Sequence, residues 1–100
     1  MTEYLIATSV LEAIVRGSLV GDQRVRLHSS LPLMRSHPAE VTVEDDACDV
    51  VVHLDVRMGE FMPDVATDVR SKIADAVGPM TGLSVSSVDV VFAGVFSAEK

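Results

Sequence analysis

Apolar and polar residues alternate along the second half of the chain with a period of two, then four, then two again. In "EVTVED", Glu40 to Asp45, Val41 and Val43 share one side. In "CDVVVHLDVR", Cys48 to Arg57, Val50, Val52, Leu54 and Val56 face one way, while Asp49, His53, Asp55 and Arg57 face the other. The short acidic link at Asp46-Ala47 predicts an antiparallel hairpin with one solvated face. From Pro63 the beat changes. Val65, Val69, Ile73 and Val77 recur every four residues, with Ala66 and Ala74 widening the stripe. This is the inner face of a helix. Pro63 suits its first turn, and Asp64 complements the dipole there. Asp68 and Lys72 are spaced for an i,i+4 pair. Gly78-Pro79 predicts its end or a kink. After the Thr81-Gly82 turn, Val88, Val90 and Phe92 alternate in a last strand ending near Phe96.

The first half is less regular. Thr2 to about Arg16 reads as a helix, with Thr2 as N-cap and Gly17 as terminator. Its apolar residues, from Leu5 to Val15, cover more than the stripe of an ordinary surface helix, so a second side of it is buried in the fold or against another chain. Gly17 to Pro38 carries loop-forming Gly, Ser and Pro, but "RVRLH" alternates, with Val25 and Leu27 on one face, as a short strand would. The expectation is a small α+β domain over residues 1–100, in the order helix, strand, strand, helix, strand, with the 17–38 segment a loop or a further short strand. An antiparallel sheet carries the helices on one face.

Composition narrows the function classes. The chain has 100 residues, 48% hydrophobic and only 4% aromatic, so its core is aliphatic. Such an apolar excess in a short chain leans towards self-association. The net charge of −7 makes direct nucleic-acid binding unfavourable. One cysteine, Cys48, excludes an internal disulfide and fits a reducing compartment. No apolar run approaches the ~20 residues of a membrane span. Glu3 stands where a signal peptide would be basic. The expected location is the cytoplasm.

The candidate chemistry is thin. His28, His37 and His53 lack metal-site spacing, and no cysteine pair accompanies them. Cys48 and His53, five residues apart on one strand, fall on opposite faces and make no nucleophile–base pair. Asp45, Asp46, Asp49 and Asp55 gather at the hairpin without a calcium-loop pattern, and read as solvated turn carboxylates. "GPMTG" lacks the P-loop lysine. Arg16, Arg24, Arg26 and Arg35 hold half of the eight basic residues, either as an arm for an acidic partner or as loop arginines that neutralise nearby carboxylates. No catalytic residue, cofactor or metal ligand is expected, and no enzymatic activity.

Three stretches, "DVVVHLDVRMG", "MPDVATDVRSKIADAV" and "MTGLSVSSVDVVFAGVF", together resemble the alkaline shock protein family, the Gls-type general stress and envelope stress-response proteins of Gram-positive bacteria. "ATSVLEAIVRG" is similar to that family's N-terminal helix. The likeness is densest over residues 40–96, while 17–38 departs from the expected short glycine-rich link and Gly78-Pro79 interrupts a helix that usually runs further. The resemblance implies a non-enzymatic protein that forms homo-oligomers and meets the inner face of the membrane through a membrane-anchored protein partner. The rival reading is a KH-like nucleic-acid or small-ligand binding module, similar in element order. The acidic balance and the lack of a G-x-x-G loop between two helices count against it.

Overall fold

The computed structural model describes residues 5–28 and 38–97. Thr2, Glu3, Arg35 and His37 lie outside them. The elements run α1 (Thr8–Leu19), β1 (Val25–Leu27), β2 (Ala39–Glu44), β3 (Ala47–Arg57), α2 (Met62–Thr81) and β4 (Ser84–Phe96). The α+β class and the element order are as the pattern predicts, and the "RVRLH" alternation is a strand.

β3 is the centre of the sheet. One of its edges pairs with β4 along its whole length, from Ala47↔Ser84 to Arg57↔Phe96. The other edge is shared end to end, with β2 against Ala47 to Val52 and β1 against Leu54 to Val56. His53 is the joint. Its N–H donates to the Pro38 carbonyl at 2.7 Å, and its carbonyl accepts the His28 N–H at 2.9 Å. β1 and β2 run antiparallel to β3, as expected of a hairpin. β4 runs parallel to β3, so the sheet is mixed. The cause is the connection. A two-residue turn reverses the chain, whereas the 20-residue helix α2 carries it back to the start of β3.

The hairpin turn sits one residue earlier than the pattern suggests. Glu44 pairs with Ala47, leaving Asp45-Asp46 as the loop. Asp45 has φ 58°, a left-handed conformation that a short polar side chain tolerates.

Both helices cover one face of the sheet. Val50, Val52, Leu54 and Val56 of β3 meet Val65, Val69, Ile73 and Val77 of α2 and Leu11 and Val15 of α1 in one aliphatic core, each at most 2% exposed. The period-two and period-four stripes therefore point at each other.

Two helix boundaries differ from expectation. α1 begins at Thr8 rather than Thr2 and passes through Gly17 to Leu19. The buried set Leu11, Val15 and Leu19 explains the shift, because four-residue spacing needs Leu19 inside the helix, while Leu5 is fully exposed. α2 likewise continues through Gly78-Pro79 to Thr81. Pro79 sits in the last turn and lacks the N–H that would close a hydrogen bond there, but the stripe extends beyond it. Val77 is fully buried and Thr81 is 6% exposed. Thr81 donates its hydroxyl to the Val77 carbonyl at 2.6 Å, and Gly82, at φ 80°, closes the helix with a bond from its N–H to the Gly78 carbonyl at 2.8 Å. Tertiary burial outweighs the proline.

Candidate interaction surfaces

The face of the sheet away from the helices is polar at one end. Asp55 projects from β3 beside Arg26 of β1 and Gly94 of β4, its partners on either side. Its carboxylate lies 2.7 Å from Nδ1 of His28 and leans over Gly94. A Cβ on Gly94 would sit 2.5 Å from Oδ1 of Asp55, so the absence of a side chain there makes room for the carboxylate. The ladder is bulged at the same place, between Leu54 and Asp55. Arg26 turns the other way and stacks on Phe96, its guanidinium carbon 4.0 Å from the ring centroid. Arg57 pairs with Glu60 at the start of the connection to α2.

A second polar cluster ties the segment before β1 to α2. Asp22, its side chain only 3% exposed, accepts from the main-chain N–H of Arg24 at 3.0 Å, from Arg24 Nε at 2.9 Å and from Arg24 Nη2 at 2.7 Å. It also accepts from Lys72 Nζ at 2.8 Å. Arg24 reaches across to Asp68 at 3.0 Å. The expected Asp68–Lys72 pair along α2 is therefore replaced. Each takes an opposite charge from the segment before β1, which offers fixed partners over a longer sequence distance. The Arg24 side chain, above all, holds the Asp22 carboxyl well below the usual carboxylate range, against the opposing effect of burial, with Lys72 adding to the lowering. Asp22 and then Asp68 push the Arg24 guanidinium further up. This is a clamp for the fold rather than a reactive site.

The arginines do not form one basic arm. Arg24 is spent on the clamp, Arg26 lies on the opposite side of the sheet over Phe96, and Arg16 is exposed near the end of α1. Cys48 is buried on the core face while His53 is on the open face, so the two are separated by the sheet. Burial, and then the charge of Asp49, push the Cys48 thiol up, which keeps it protonated. Asp45 and Asp46, in the hairpin turn, and Asp49, on β3, are exposed as expected, whereas Asp55 is half-buried against His28 rather than solvated. Among the described residues no cluster of His, Cys, Asp or Glu could hold a metal ion.

The contacts made at Asp22, Gly94 and Phe96 are not among those the sequence pattern predicts. Gly94 carried a readable signal, since an isolated glycine in a valine-rich strand marks a bulge or a close approach. The bridge from Asp22 to α2 gave none, because Lys72 belongs to a distant helix and Asp68 is reached only through Arg24.

Exposed apolar residues form the remaining surfaces. Between α1 and α2 a groove of about 560 Å³ is lined by Val10, Ala13, Ile14, Gly17, Ala76 and Met80, with Val10 48% and Met80 73% exposed. Met58, Phe61 and Met62 stand exposed where β3 gives way to α2. Among the described residues no helix is long and apolar enough to cross a membrane.

Neither the comparison with curated proteins nor that with solved structures returned a match. The sequence model of the alkaline shock protein 23 family, described as having a cell envelope-related function, matches residues 3–97. That span takes in both helices and all four strands, and the chain belongs to this family.

Proposed function

We propose that the protein is a non-enzymatic envelope and general stress-response protein that works through self-association and protein contacts. It acts in the cytoplasm and gathers at the inner face of the membrane through a separate membrane-anchored protein. The observation that carries this reading is the placement of apolar side chains. A small acidic domain with a filled aliphatic core still leaves Val10, Met80, Phe61, Met62, Val91 and Val95 at least 40% exposed, on or next to elements packed on that core. Exposed apolar surface on a rigid scaffold favours protein partners. The polar side chains that do converge, around Asp22 and Asp55, satisfy one another.

Light scattering at high micromolar concentration, together with binding to native membrane vesicles before and after protease treatment, tests the proposal. An oligomeric mass and protease-sensitive vesicle binding are expected. A strict monomer that ignores the vesicles would sink it. Salt-dependent RNA binding lost on changing Arg24 and Arg26 would favour the KH-like alternative instead.

A further inference from the structure

β4 is 13 residues long, and among the described residues nothing pairs with its outer edge. The main-chain groups on that edge can be identified. Ser84 N–H donates to Asp46 and the Phe96 carbonyl accepts from Met58, so both point towards β3 and its flanking turns. The Val88 carbonyl points the other way, where it accepts Nε of Arg70 at 3.1 Å. Alternation along the strand then turns the N–H and carbonyl groups of Val90 and Phe92 outward as well. Arg70 guards the edge at Val88. Beyond it, Val90 to Phe96 reads "VVFAGVF", seven residues with no charge, no proline and no polar side chain. Such a stretch on an open edge is the pattern that soluble proteins avoid unless something covers it.

Resting on the self-association reading, the geometry points to a second copy of this chain as the cover: the Val90 to Phe96 edge of β4 pairs antiparallel with the same edge of its partner, joining two sheets about a twofold axis. Unpaired main-chain groups in a row select an extended strand as occupant, and a twofold contact sets one patch against itself. Charge placement fits a second copy. Two chains of net charge −7 repel overall, but "VVFAGVF" carries no carboxylate and the charges that flank it are complementary. Asp89 sits at one end of the stretch and Phe96, with Arg26 stacked on it, at the other, both on the open face of the sheet. Antiparallel pairing about a twofold near Phe92 and Ala93 brings Asp89 of each copy alongside Phe96 of the other. There the carboxylate meets the second copy's Arg26, twice per dimer.

The test is mass by light scattering on the full chain with three variants, each checked for folding by its melting transition. Val91→Lys, at a position 40% exposed, and Val95→Lys, 52% exposed, charge the edge without entering the core. Met80→Lys alters the groove between the helices instead. The wild type should be oligomeric, Met80→Lys should match it, and either edge variant should weaken association roughly tenfold or more. Asp89→Arg should also weaken it, and adding Arg26→Asp should restore part of the loss. An oligomeric wild type whose mass is unchanged by both edge variants overturns the edge while leaving self-association standing. Dissociation by Met80→Lys alone does the same. A monomeric wild type overturns both.

Discussion

The two edges of the sheet are built on the same central strand and manage exposure in opposite ways. On one side of β3 the edge is divided between β2, six residues, and β1, three residues, meeting at His53. Charged side chains interrupt it, with Glu40 and Glu44 on β2 and Arg26 on β1. Short strands and charge are standard ways of keeping an edge from recruiting another strand. On the other side β4 runs unbroken for 13 residues, and past Asp89 it carries no charge. Among the described residues one edge is blunted and the other is left open. Exposed backbone along β4, rather than a pocket or a catalytic group, is therefore the feature through which this surface can bind.

The largest effect should come from what both edges share. Leu54 is fully buried on β3 between β1 and β4, and Leu54→Ala should cost about 2–5 kcal/mol in chemical denaturation, loosening both edges together. Next is the clamp that positions β1 on the blunt side. Asp22→Asn leaves Arg24 and Lys72 without their buried carboxylate and should cost about 1–3 kcal/mol. This site also sets a pH signature. A carboxyl lowered in the folded state stabilises fully above its unfolded value near ~3.9, and that contribution is lost as pH falls towards the folded value. Wild-type stability should therefore drop as pH goes below ~4, and Asp22→Asn should drop less steeply over the same window.

A smaller effect is expected on the open side. Gly94→Ala forces the Asp55 carboxylate off its place and should cost about 1–2 kcal/mol, with Asp55→Ala in the same chain recovering part of it. The smallest sharpens the contrast most. At a protein concentration low enough to keep every chain monomeric, Thr42→Lys on exposed β2 and Val91→Lys on exposed β4 should each change stability by under about 0.5 kcal/mol, yet at high concentration only the second should change the mass of the particle.

Much of the fold was legible because burial imposes simple periods. Val50, Val52, Leu54 and Val56 alternate because only one face of β3 is covered, and Val65 to Val77 repeat by four because α2 covers it. The helix ends were not legible. Gly17 reads as a terminator and Gly78-Pro79 as a stop or kink by local preference, but Leu19 and Thr81 are buried and draw the helices past those signals, while α1 starts at Thr8, beyond the Thr2 cap signal. The parallel course of β4 follows from the helical crossover between two neighbouring strands, and the alternation within β4 is the same for either direction of pairing. The surfaces were the least legible part. Arg26 stacking on Phe96 and Asp22 bridging to Lys72 join residues 70 and 50 positions apart, and no local pattern announces them.

If a second copy covers the open edge of β4, that edge alone should be protected on association while the β2 edge stays solvated. Hydrogen exchange of individual amides, followed at low and at high protein concentration, tests it most directly. The Val90 and Phe92 amides should slow as concentration rises, while those along β2 exchange at unchanged rates. Concentration-independent exchange at Val90 and Phe92, in a sample that light scattering shows to be oligomeric, would contradict it.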